Sequence, residues 1–281
     1  MWIWATIGSA LLLGIYDLAK KQALKKNSVY YILFWGTAFS TLFLSPFLSQ
    51  GSLIDHIYLI IKAILVSASW ITGLYGIKLL PITTAGTIKA SRPVFVLIFS
   101  LVLFGEKLNL WQWGGVTLTL LSLGMLSRSS IKEGIDFSHS KGVFYMAICV
   151  ISGVCSALFD KHIMSYMEPL FVQSWCNLYI TLILGIIILI RKFRAVETEK
   201  FKWDWMLLLI AIFITGADFL YFYSLSRPGA LLSIISLTRR SSVIITFIGG
   251  ALLFQETNIK SKAIDLGVML LGMILIVLGS Q

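Results

Sequence analysis

The chain has 281 residues, 58% hydrophobic and 13% charged, with a formal net charge of +10 and a mean hydropathy of +0.89. A water-soluble domain carries roughly 25% charged residues, so the composition excludes one and makes lipid the main solvent. The basic residues of the loops are dispersed along a lipid-facing chain, which argues against a nucleic-acid partner.

Runs of about 20 apolar residues suit transmembrane helices. The pattern predicts such spans at 2–19, 30–48, 57–77, 81–104, 108–127, 142–163, 170–190, 204–226, 228–254 and 259–279. The first span lacks a basic leader and a small-residue cleavage site, so it reads as a helix and not a removable signal. Connections are short. The polar stretch 129–141 divides the chain into a first unit, 1–128, and a second, 142–281. Trp2, Trp4, Trp111, Trp113, Trp203 and Trp205 fall at span ends, as interfacial belt residues do. Cys149, Cys155 and Cys176 lie in apolar runs without paired spacing and read as small hydrophobes. Gly114, Gly115, Gly267 and Gly272 suggest close helix packing.

The two units repeat one another. Gly14-Ile15-Tyr16-Asp17 near the end of span one matches Ala157-Leu158-Phe159-Asp160 near the end of span six. Tyr75 precedes Leu80-Pro81 as Tyr223 precedes Arg227-Pro228. Lys89 in span four and Arg239 in span nine each stand 17 residues before an acid, Glu106 or Glu256. Five spans per unit is an odd number, so successive repeats enter the membrane in opposite directions. The expected fold is therefore all-α, ten transmembrane helices as two inverted five-helix repeats, an arrangement suited to alternating access.

Spans four and nine carry the chemistry. An arginine at a helix centre costs about 2.5–3.5 kcal/mol by insertion scales and is kept where it faces a cavity or a counter-ion. Lys89 and Arg92 share one helical face, and Pro93 should bend the helix beside them. Lys89, Arg92, Arg239 and Arg240 are the expected anion-binding residues, with arginine offering a planar fork. Asp17, Asp160 and Asp218 are expected to neutralise them, to gate, or to carry a proton. Asp17 can pair with Lys21, Asp160 neighbours Lys161, and Asp218 can meet Arg239 or Arg240. Tyr16, Trp70, Tyr75, Tyr221 and Tyr223 recur beside these positions as candidates for stacking or hydroxyl contacts. Four core cations against three acids favour an anion, or a zwitterion bearing an acid, over a simple cation.

There is no nucleophile–base pair, metal-ligand spacing or glycine-rich phosphate loop, so neither catalysis nor a metal or cofactor is expected. His56, His139 and His162 form no cluster.

On these residues the chain resembles the drug/metabolite transporter superfamily in its ten-helix, EamA-like form. The resemblance covers essentially the whole sequence and rests on the five-plus-five repeat, the small-residue-rich first helix, Gly105-Glu106 closing span four and Gln255-Glu256 closing span nine. The family often has Gly-Glu at both places, so Gln255 departs from it. Arg239-Arg240 is similar to the paired cations that plastid phosphate translocators carry on their ninth helix, where the pair holds the substrate phosphate, and Lys89 resembles another cation of that branch. The resemblance implies a secondary carrier of a small anionic, phosphorylated or zwitterionic metabolite in a bacterial cytoplasmic (inner) membrane. Its partners would be a small-molecule substrate and the lipid bilayer, and a monomer would suffice. The alternatives are a proton-coupled exporter of amino acids and a flippase or enzyme acting on a lipid-linked phosphate. Loops after odd-numbered spans hold most of the basic residues, Lys20, Lys21 and Lys262 among them, while Lys62 counts for the opposite side. The positive-inside rule then puts both termini outside the cytoplasm.

Overall fold

A chain this apolar offers its backbone little water, so N–H and C=O groups must pair within the segment, and the helix does so locally. The computed structural model describes residues 2–104, 109–131, 133–163, 166–194, 201–225, 227, 235, 238–256 and 258–279. Among them the long elements are α1 (Trp2–Ala23), α2 (Val29–Leu44), α3 (Leu53–Leu79), α4 (Ile82–Ala90), α5 (Arg92–Phe104) and α6 (Leu110–Ile131) in the first unit. The second unit holds α7 (Lys141–Ile163), α8 (Pro169–Phe193), α9 (Trp205–Leu225), α10 (Ser242–Leu253) and α11 (Ile259–Leu278). No strand occurs among the described residues. Seven of the helices, α1, α2, α3, α7, α8, α9 and α11, are long and apolar enough to cross a membrane. The protein is thus an integral, multi-pass membrane protein. Gly105, Glu106 and Pro228 lie outside the described residues.

Local chemistry sets two boundaries that sequence periodicity misplaces. Helix α3 begins at Leu53 and not at 57, because Ser52 and Asp55 form a reciprocal capping box, satisfying two orphan N–H donors. The earlier start carries Lys62 well inside the helix. The fourth span is broken in two at Ser91, whose N–H and Oγ both turn back to the carbonyl of Ile88 (3.2 and 2.7 Å). Pro93, with no N–H to give, prevents the α-helical bond that would bridge this point. The same device recurs 150 residues on, where Ser241 N and Oγ reach the carbonyl of Thr238 (3.1 and 2.6 Å). Each break directly follows a cationic stretch, Lys89 in one repeat and Arg239-Arg240 in the other.

Helix pairing respects the repeat. Helix α1 packs on α9 and α3 on α7; α3 also meets α8, and α2 meets α9. Helix α2 packs on α8, α6 on α11, and α4 on α10, while α1 meets α10 as α7 meets α4 and α5. Exchanging each helix for its counterpart in the other unit maps this set onto itself. Helices α6 and α11 meet backbone to backbone: a Cβ on Gly115 would lie 2.5 Å from the carbonyl oxygen of Gly272. Of the expected packing glycines, Gly267 is not one, since nothing lies within 4 Å of its Cβ position. Helix α6 spends its small and hydroxyl residues on this contact. Ser122 Oγ donates to the Asp265 carbonyl and Ser129 Oγ to its carboxylate, both at 2.5 Å.

Charges tie the ends of the helices together. Glu256 accepts from the N–H of Ile82 (2.5 Å) and of Thr83 (3.0 Å) and from Thr83 Oγ1 (2.6 Å), placing a carboxylate at the positive end of α4. Lys21 donates to the carbonyls of Ile77 and Leu80, both at 2.7 Å, closing the negative end of α3. Lys262 is wholly buried and bonds Glu133 (2.7 Å) and Thr83 Oγ1 (3.1 Å). Lys21 and Lys262 are therefore helix-end clasps and not free loop charges. Lys20 and Lys62 are also buried inside helices. The loop tally behind the topology expectation loses these four, because a lysine with an acid or a carbonyl to bond is held within the bundle. Trp4, Trp111, Trp113, Trp203 and Trp205 are all at least half exposed, as belt residues should be.

Candidate functional site

The cationic residues beside the breaks at Ser91 and Ser241 line the space enclosed by α1, α3, α7, α8 and α9. There lies a cavity of about 220 Å³. Ten of the twelve expected site residues line it: Tyr16, Asp17, Trp70, Lys89, Arg92, Asp160, Asp218, Tyr221, Arg239 and Arg240. Tyr75 and Tyr223 are elsewhere. Tyr75 stacks on Tyr145 with ring centroids 5.3 Å apart, and the Tyr223 ring lies under the Arg227 guanidinium at 4.2 Å.

The acids are all engaged. Asp17 takes Lys89 at 2.7 Å and Lys20 at 3.3 Å, not Lys21. On a helix Lys20 sits one turn away at i+3, and Lys21 is drawn off by the end of α3. Asp160 pairs with Lys62 across α7 and α3; the side chain of its neighbour Lys161 lies outside the described residues. Asp218 pairs with Arg239, whose guanidinium also lies 4.2 Å over the Tyr221 ring. Lys89 and Arg239, equivalent in the repeat, each hold a carboxylate of their own.

Two cavity-lining cations have no carboxylate among the described residues. Arg92 donates to Ser69 Oγ and the Cys149 carbonyl, both at 3.1 Å, and its buried Nε has no partner among the described residues. Its guanidinium lies against Gly153: a Cβ there would come within 2.1 Å of Arg92 Cζ. Only glycine admits it in that seat. Arg240 makes no hydrogen bond or ion pair among the described residues. Counting the described lining residues, Lys20, Lys62, Lys89, Arg92, Arg239 and Arg240 face Asp17, Asp160 and Asp218. The cavity is strongly cationic.

Sequence reasoning missed Lys20 and Lys62, and also the polar lining from Ser69, Gln173 and Asn177. A signal for Lys62 existed: it lies ten residues into an uninterrupted helical run from Leu53, too deep for a loop charge. Cys149 and Cys176, read as small hydrophobes, are buried free thiols that also line the cavity. Beyond the Lys62–Asp160 pair, Leu59, Ile163, Met167, Phe171 and Val172 form a buried apolar cluster.

Comparison with known proteins agrees with this architecture. No curated protein matches the sequence. Among solved structures 28 chains match. One crystal structure of a protein aligns over 98% of this chain and 97% of its own, with a TM-score of 0.66 at 13% identity, a likeness of fold. The model of the EamA-like transporter family matches residues 1–128 and again 140–278. With both of its repeats covered, the chain belongs to the EamA-like transporter family.

Proposed function

We propose that the protein is a secondary active transporter that carries a small anionic metabolite, phosphorylated by preference, across the membrane by alternating access. The observation that carries this reading is the cationic surplus of the cavity: six basic side chains against three acids, with Arg92 and Arg240 lacking any carboxylate among the described residues. Unbalanced charges repel in a low-dielectric site, and an anionic substrate relieves that repulsion. Arginine forks suit phosphate or carboxylate. A zwitterion would have to bring a cation into the same surplus, which ranks it second.

The helix pairing supports ten spans arranged as two inverted repeats, 1–128 and 142–281 joined by 129–141. In this scheme α4 with α5 forms the fourth span and α10 belongs to the ninth. The cavity at their junction is the substrate site, lined by Lys89, Arg92, Arg239 and Arg240 with Tyr16, Trp70 and Tyr221 around them. The pairs Asp17–Lys89, Asp160–Lys62 and Asp218–Arg239 hold the empty site together and exchange with the substrate anion. Lys62–Asp160, backed by its apolar cluster, forms the gate at one end. The bacterial cytoplasmic membrane as setting, and action as a monomer, follow from the family resemblance and the fusion of both halves in one chain.

The test is ligand affinity in purified, monodisperse protein, found by ligand-induced thermal stabilisation across phosphorylated metabolites, carboxylates and amino acids. Hydrogen bonds to charged groups contribute about 1.5–3 kcal/mol. Arg240→Gln should therefore weaken the best anion at least about tenfold while leaving the protein folded. Equal affinity in wild type and Arg240→Gln, or a preference for cations, would overturn the assignment.

A further inference from the structure

The cavity has a second polar wall that the charged residues do not use. Gln173 is 97% buried yet lines the cavity, and its Oε1 has no hydrogen-bond donor among the described residues. The orientation of this amide is fixed: the other atom, Nε2, donates to the Thr215 carbonyl at 3.3 Å, which a flipped oxygen could not do. One turn on, Asn177 also lines the cavity. Its Nδ2 donates to the Gln173 backbone carbonyl at 3.0 Å, leaving its Oδ1 as an acceptor. An unmatched buried acceptor is costly, and Gln173 Oε1, with the Asn177 amide one turn on along the same cavity-lining helix, marks the place where a ligand brings donors.

The position of this wall relative to the cations is set by helix geometry. Phe171 and Val172, just before Gln173, pack with Leu59, so the amides stand at the Lys62 end of the cavity. Arg92 is anchored on Ser69, seven residues from Lys62 along α3. At about 1.5 Å per residue this is roughly 10 Å away. A ligand reaching both ends carries an anionic group at one and hydrogen-bond donors several bonds distant at the other.

Resting on the anion reading above, we infer that Gln173 and Asn177 form a hydroxyl-accepting subsite, so that the substrate is a hydroxylated anion and not a plain or amino-bearing one. An ammonium is the other donor that could approach, but it would enter beside the Lys62 ammonium in a cavity already rich in cations, with Asp160 and Asp218 both engaged. A neutral hydroxyl satisfies the amide oxygens without that repulsion.

Matched ligands test this. Affinities are measured on the purified full chain for glycerol 3-phosphate against n-propyl phosphate, and for glycerate against propionate. A third phosphate, 3-aminopropyl phosphate, serves as the ammonium arm. In wild type the hydroxylated member of at least one pair should bind about tenfold tighter, the worth of one or two neutral hydrogen bonds, and tighter than the amino compound. In Gln173→Leu the ratio within the pair should fall to about one. The wild-type comparison stands by itself if that variant does not fold. Equal affinity within both pairs overturns the subsite and leaves the anion site intact; tighter binding of the amino compound overturns the choice of hydroxyl. Failure of all five ligands to bind overturns the anion reading itself.

Discussion

Lys62 offers the sharpest test of how the bundle is held, because it is buried and its partner lies 98 residues away along the chain. Its side chain is 7% exposed and that of its partner Asp160 is 23% exposed, the latter toward the cavity. Replacing Lys62 by Met preserves the stem and removes the charge, leaving an unpaired carboxylate. Breaking a buried pair from one side costs about 3–5 kcal/mol. The partial exposure of Asp160 lets it keep some solvation, which brings the expectation to about 2–3 kcal/mol. For a chain of this size each kcal/mol shifts the midpoint by roughly 2–4 °C, so Lys62→Met should unfold about 4–12 °C early. The double variant Lys62→Met/Asp160→Leu removes both charges and should recover to within about 1 kcal/mol of wild type, since apolar packing can replace an ion pair. The assay is thermal unfolding of purified protein in detergent, followed by the fluorescence of its nine tryptophans. A single variant as stable as wild type, or a double no better than the single, would refute the claim that the pair acts as one unit.

Four further variants, three that replace a glycine and one that introduces it, give separate outcomes. Gly153→Ala should dislodge the Arg92 guanidinium, the flexible end of a long side chain, and weaken anion affinity about tenfold with little change in unfolding temperature; unchanged affinity would show that Arg92 is not placed for the ligand. Gly115→Ala should cost about 1–3 kcal/mol, because its Cβ meets the backbone of α11. Gly267→Ala, facing open space, should be neutral or stabilising by about 1 kcal/mol, so equal losses at both sites would undo the packing argument. Gln255 has φ +50°, a left-handed conformation costing a non-glycine residue about 1–2 kcal/mol. Gln255→Gly should therefore raise stability by up to about 1 kcal/mol in the same unfolding assay, less glycine's entropy in the unfolded chain.

That strained turn shows how much a family pattern can hold. Glycine often stands at the equivalent of Gln255 in the resembled superfamily, and the left-handed backbone supplies the reason. In the same way, the departure was visible in the sequence while its cost needed the coordinates.

What the sequence by itself determined was whatever depends on local pattern. Apolar runs specify membrane helices, the matched cation–acid spacing reveals the repeat, and Pro93 forecasts a bend beside Lys89, which the structure resolves into a break at Ser91. Asp218 and the four central cations were legible because ionisable residues deep in apolar runs need a polar setting, and Asp17 and Asp160 because they recur at matching places in the repeat. Pairing was another matter. Nothing along the chain says that Asp160 will bond Lys62, 98 residues away, or that Lys20 and not Lys21 will take Asp17. Tertiary structure alone decided which lysines are loop charges and which are buried clasps. It alone brought Gln173 and Asn177 to the cavity wall. The physical reason is that burial and ion pairing are properties of the space between helices, which depends on how they cross, whereas hydropathy and periodicity belong to each helix singly.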